Sequence, residues 1–249
     1  MPPTSFLKAE VAPPNSLLFA FEYRALAELA VLVLSQPFHA LLPRGDRHGV
    51  IIIPGLVQSA IAIAPLQNSL RRLGYEAHTW DQGRNLGFSK PELASLRAQT
   101  EALAHKTGKE VSVIGWSLGG IYARELAFQI PSRLRQVITL AAPFGANPEA
   151  SNLRWLYDIV TRNRAGEIDD EMAMRIRQPL PVPSTAVYSR TDGIVAWQAC
   201  IEEQLCDTNE NIEVYGSHSG LGFNAQVLYV IADRLAQTRG AWKKMSRVM

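Results

Sequence analysis

The chain has 249 residues, 47% of them hydrophobic and 19% charged, with five Trp. That much apolar material supplies one sizeable core, and α/β folds of this length commonly form a single domain. The 25 basic and 23 acidic residues leave a net charge of +2 with no basic run beyond Lys243-Lys244, which excludes a nucleic-acid footprint and points to neutral or weakly charged partners.

Met1–Asn15 offers only Lys8 as a cation and lacks the basic n-region of a secretory signal, so a cytoplasmic chain is expected. Leu17–Leu34 invites a membrane reading, but Glu22, Arg24 and Glu28 would be expensive in a bilayer core. Leu26, Leu29 and Val33 instead predict an amphipathic helix over about residues 16–36, packed on the core. Contact with lipid is expected to be peripheral at most.

From Gly49 onward, short apolar runs alternate with helical patterns. Val50–Ile53 reads as a strand covered on both faces. Ser59–Leu73 carries a helical stripe of Ile61, Pro65, Leu66, Leu70 and Leu73, closed by Gly74. Glu76–Trp80 predicts a second strand, Pro91–His105 a helix and Val111–Ile114 a third strand. Ile121–Ile130 continues as helix after a Gly-rich turn. Gln136–Leu140, Thr185–Tyr188 and Ile212–Tyr215 complete the strands, and Phe223–Leu235 closes the chain as a helix. This order implies βαβ crossovers and a mostly parallel sheet flanked by helices. The segment from about 145 to 183 is too long for an ordinary connection. Its stripe Leu153, Leu156, Tyr157, Val160 and a short helix at Glu171–Arg177 predict a small helical cap over the carboxyl ends of the strands, where open α/β sheets bind ligands. The two cysteines, Cys200 and Cys206, match no zinc or thioredoxin-like spacing and are expected to be reduced or to form one incidental disulfide.

The chemistry concentrates at Gly115-Trp116-Ser117-Leu118-Gly119-Gly120, between a predicted strand and a predicted helix. A Ser hydroxyl becomes a useful nucleophile when a sharp turn exposes it beside a base, and small residues at both ends permit that turn. With Ile53-Pro54-Gly55-Leu56, Gly83-Arg84-Asn85-Leu86-Gly87, Asp192-Gly193-Ile194-Val195 and Gly216-Ser217-His218-Ser219-Gly220-Leu221, the chain from about Gly49 to Leu235 resembles the α/β-hydrolase superfamily, esterase/lipase branch. The resemblance implies the α/β-hydrolase fold and a triad in the order Ser, acid, His.

Of five His, only His218 follows Ser117, and it is the expected base. Asp192, in a short turn after the fifth strand, is the expected acid; Asp207 is the runner-up, and Asp158, Asp169 and Asp170 fall in the cap. The oxyanion hole is expected from the backbone N–H of Leu118 and, by the resemblance, of Leu56. Arg84 and Asn85 are expected to fix their loop by hydrogen bonds. These placements imply ester hydrolysis through an acyl-enzyme, with no metal or cofactor required. Leu153, Trp155, Leu156, Tyr157 and Ile159 suggest a small ester with an apolar acyl group as substrate. Acyl transfer to an alcohol uses the same triad, and a non-catalytic binding protein of this fold is the reading from a different class.

Overall fold

Val50–Ile53 offers no polar face, so a strand built from it must be buried on both sides; Gly49–Ile53 (β1) is fully buried along its length. The computed structural model describes residues 11–145, 151–153, 156, 158 and 168–245. β1 is joined by Glu76–Thr79 (β2), Val111–Trp116 (β3), Leu134–Leu140 (β4), Ser184–Tyr188 (β5) and Asn209–Glu213 (β6). The six strands form one sheet in the order β2-β1-β3-β4-β5-β6, and every pairing is parallel. The crossover direction reverses between β1 and β3. The loops leaving their carboxyl ends therefore diverge and open a crevice, the usual ligand site of such sheets.

Alternation along β1 sends Val50 and Ile52 to one face, and Ile51 and Ile53 to the other. The first pair packs with Ala60–Arg72 (α3) and Ala225–Leu235 (α7). The second pair packs with Lys90–Thr107 (α4) and Leu118–Gln129 (α5). Asp170–Arg175 (α6) overlaps the predicted short helix, starting one residue earlier and ending two earlier. Of the predicted cap, Trp155, Tyr157, Ile159 and Val160 lie outside the described residues, while Leu153 packs against the core.

Three expectations need correction. Ile61 is 85% exposed, and the buried stripe of α3 runs through Ile63, Leu66 and Leu70. The last strand starts three residues earlier than hydropathy suggests, because its polar residues are paired inside the protein. Glu210 accepts from Thr185 and Arg234, and the Asn211 side chain bonds both Glu202 backbone groups. Finally, the amino-terminal helix is broken into Ser16–Ala20 (α1), a 3₁₀ turn at Phe21–Arg24 and Ala25–Leu34 (α2). Leu26 and Val33 are exposed, whereas Glu22, Ala25 and Leu32 are buried. No helix of the described residues is long and apolar enough to cross a membrane. Cys200 and Cys206 are both free thiols, Cys200 buried.

Candidate active site

The predicted turn is a sharp one. Ser117 directly follows β3 with φ 53° and ψ −122°, a region that residues other than glycine rarely adopt and that costs of order 1–3 kcal/mol. The surroundings hold it there: its N–H donates to the Leu140 carbonyl at 2.8 Å, and its own carbonyl accepts from Gly120 at 2.9 Å. The flanking glycines follow from the same turn. A Cβ on Gly115 would collide with the Gly119–Gly120 backbone, and one on Gly119 with the Ile53 and Pro54 carbonyls. Helix α5 begins at Leu118, where a first-turn N–H has no intrahelical acceptor. That amide is the one expected to face an oxyanion.

Asp192 and His218 come from the loops after β5 and β6, at the same carboxyl rim as Ser117. His218 Nδ1 lies 2.7 Å from Asp192 Oδ2, and both side chains are buried. Asp192 Oδ1 accepts two backbone amides, from Ile194 at 2.8 Å and Val195 at 2.7 Å. The carboxylate therefore cannot swing away, and Nδ1–H facing it leaves Nε2 as the free acceptor nitrogen. Burial alone would lower the His218 pKa. The Asp192 charge and hydrogen bond, aided by the Glu22 charge, reverse this and hold it above the ordinary imidazole value of 6.5. Trp116, directly before Ser117, donates its indole N–H to the His218 carbonyl at 3.1 Å and so ties the imidazole loop to the Ser117 turn. Among the described residues no hydrogen bond joins Ser117 Oγ to His218; such contacts are often formed only around substrate. Asp207 is exposed, just ahead of β6 at the opposite, amino-terminal edge of the sheet.

The loop carrying Leu56 lies against Ser117: a Cβ on Gly55 would sit 3.2 Å from Ser117 Cβ. Its shape depends on Asn85, which is fully buried. The Asn85 side chain donates to the Pro54 carbonyl at 2.8 Å, while the Asn85 backbone carbonyl accepts from the Val57 N–H at 2.6 Å and the Asn85 backbone N–H donates to the Gln58 carbonyl at 2.8 Å. Val57 is itself held at φ 56°. Asn85→Ala is expected to strand the Pro54 carbonyl and lower stability by about 1–3 kcal/mol. Any esterase activity should fall more steeply than the folded fraction does; thermal melts beside rates on a chromogenic ester separate the two effects.

Two features escaped the sequence reading. One is the pair of carboxylates Glu22 and Glu28, which reach from the amino-terminal helices into the loops carrying Asp192 and His218. Their only signal was acidic residues inside an otherwise apolar stretch. The other is a second Ser-His-Asp array, in which Asp46 Oδ1 is 2.5 Å from His48 Nδ1 and Ser112 Oγ is 2.9 Å from His48 Nε2. It sits at the amino-terminal edge of β1 and β3. Ser112 and His48 have no solvent exposure, and the Ser112 backbone is committed to β1 and β4 on either side. That leaves neither room for a substrate nor an adjacent free amide. Burial, foremost, and the charges of Arg135 and Lys109 keep His48 below its usual pKa despite Asp46. This array is a structural clasp. An open cleft of about 560 Å³ at that edge is lined by charged side chains, including Arg133, Arg135 and Arg239; it lies away from Ser117.

The alpha/beta hydrolase family model matches residues 50–247. The chain belongs to this family. Among curated relatives, a homoserine O-acetyltransferase of Thermus thermophilus is 36% identical over 107 residues, covering 41% of this chain and 27% of that protein. A pimeloyl-[acyl-carrier protein] methyl ester esterase of a Shewanella species is 29% identical over 99 residues, covering 40% of this chain and 36% of that esterase. The matches thus span about a third of these relatives' length. Solved structures of the same fold include Aspergillus fumigatus lipase B, with a TM-score of 0.60, 16% identity and coverage of 78% of this chain and 53% of that one. The mature Bacillus licheniformis lipase BlEst2 aligns with a TM-score of 0.58 at 15% identity, over 79% of this chain and 94% of that one. In this alpha/beta hydrolase, as across the fold, the loops at the carboxyl ends of the strands carry the candidate residues.

Proposed function

We propose that this alpha/beta hydrolase cleaves carboxylic esters, with Ser117 as nucleophile, His218 as general base and Asp192 as the acid that orients the imidazole. The observation that carries the reading is the strained Ser117 turn, sharing its rim with a buried Asp192–His218 pair whose Nε2 is left as acceptor. Ser117 Oγ attacks the ester carbonyl while His218 Nε2 takes its proton. The tetrahedral oxyanion is held by the amides of Leu118 and Leu56. His218 returns the proton to the leaving alcohol, giving an acyl-Ser117. Water then attacks with His218 again as base, releasing the acid and restoring the hydroxyl. A small ester with an apolar acyl group is the substrate class this reading favours. Acyl transfer to an alcohol is the second reading, favoured by the stretch shared with homoserine O-acetyltransferase.

A fluorophosphonate probe tests the assignment without knowledge of the substrate. Labelling followed by peptide mapping is expected to place the adduct on Ser117 and leave Ser112 untouched; an unreactive Ser117 in the folded protein rejects the proposal. Because the base must be neutral, activity on a chromogenic ester should rise with pH through a limb lying above the ordinary imidazole value. A limb at or below pH 6.5 would contradict the arrangement around His218.

A further inference from the structure

We infer that Glu22, carried by the amino-terminal 3₁₀ turn, is a positioning residue that clamps the Asp192 and His218 loops in working register and supplies a second negative charge to the imidazole. The inference rests on the triad proposed above. One buried carboxylate bridges two loops that leave different strands. Glu22 Oε1 accepts from the amides of Gly193 at 2.8 Å and His218 at 3.0 Å, and Oε2 accepts from the amide of Ser219 at 2.8 Å. These donors directly follow Asp192 or belong to His218 and its successor, so the carboxylate fixes the spacing between acid and base through their backbones.

The sequence of those loops is fitted to this approach. A Cβ on Gly193 would drive into the Leu18 carbonyl, and one on Gly220 into the Glu28 carboxylate. Glu28 extends the clamp by accepting from the Ser217 amide at 2.7 Å and the Asn224 side chain at 2.9 Å. Burial would raise the Glu22 pKa, but the Ser219 and Gly193 hydrogen bonds and the His218 charge outweigh it and keep the carboxyl ionised.

The groups facing His218 come from every element packed on it. Asp192 and Glu22 act on it directly and favour the imidazolium. Glu28 lies one step behind, with Arg24 Nε 3.8 Å from its Oε1 and the Arg24 guanidinium also donating to the Thr191 carbonyl. Cys200, within reach of the Asp192 charge, is kept as a neutral thiol by burial and that charge. An imidazolium forms when His218 takes the Ser117 proton, so a charge that stabilises it acts on the step itself and not only on the fold.

The test uses the full chain. In a Ser117→Ala background, NMR titration of His218 reads its pKa without any need for turnover, and Glu22→Gln is expected to move that pKa down. In the active protein Glu22→Gln should shift the acid limb of kcat/KM to lower pH while lowering the plateau about ten- to a hundred-fold. Glu22→Asp, which keeps the charge but shortens the reach, should lower the plateau and leave the His218 titration near its original position. In the unaltered protein, the amides of Gly193, His218 and Ser219 should be protected from hydrogen exchange together. Fast exchange at these amides overturns the inference even if no variant folds. An unshifted His218 titration in folded Glu22→Gln overturns it as well. Failure of the parent triad is read separately, as an unaltered protein whose Ser117 does not take a fluorophosphonate.

Discussion

Replacing Ser117 with Ala is expected to lower kcat on a chromogenic ester by on the order of 10⁴–10⁶, and His218→Ala by a similar factor. The double variant should be scarcely worse than either single one, since each removal already disables the shared proton transfer. Asp192→Asn belongs to the same experiment. Its amide would face the His218 Nδ1–H that the carboxylate now accepts, so the imidazole turns to the wrong tautomer; a loss of about 10⁴ in kcat is expected. The informative contrast is Ser112→Ala. It removes the partner of His48 Nε2 and should lower stability by about 1–3 kcal/mol while leaving kcat within about twofold. Steady-state rates on all five variants decide between the two Ser-His-Asp arrays. Activity that survives Ser117→Ala and disappears with Ser112→Ala would move the chemistry to the wrong edge of the sheet and sink the proposal.

The two arrays also explain what a sequence can and cannot disclose. Ser117 is legible because the demands of its turn are local: the glycines at 115 and 119 are required by backbone within a few residues and by β1 alongside. The parallel sheet is legible for the same reason, since each buried strand must read as an apolar run. Asp192 and His218 become legible once chain order limits the candidates. The clasp formed by Asp46, His48 and Ser112 has no comparable local signature, for its partners meet only when β1 and β3 lie side by side. Glu22 was legible as an oddity, a carboxylate in an apolar stretch, but its partners are about 170 to 200 positions away in the chain, and periodicity carries no information at that range. The first residues of β6 were missed for a related reason. Glu210, satisfied by Arg234, is buried and Asn211, satisfied by Glu202, is half-buried, at positions that hydropathy assigns to a loop.

Arg124→Met is the second large effect expected, and it concerns stability, not turnover. Arg124 lies on α5, the helix launched by the Ser117 turn, and has no solvent exposure. Its guanidinium makes a double contact with Glu202, donates to the carbonyls of Ile176 and Gln178, and lies 3.8 Å over the Phe144 ring. Glu202 also accepts from Ser184 at the start of β5. One cation thereby binds α5 to the chain leaving α6 and to the loop after β5. Met fills much of the same volume but leaves Glu202 buried and unpaired, so a loss of about 3–5 kcal/mol is expected. For a chain of this length that is a fall in Tm of about 6–20 °C. Denaturant melts should show a lower midpoint at an unchanged slope. The paired variant Arg124→Met with Glu202→Leu removes both charges together and should regain most of the loss, because replacing a whole buried ion pair by apolar groups is often neutral. A single variant costing under about 1 kcal/mol would mean that water reaches Glu202 and that the ion pair is of the weak, exposed kind.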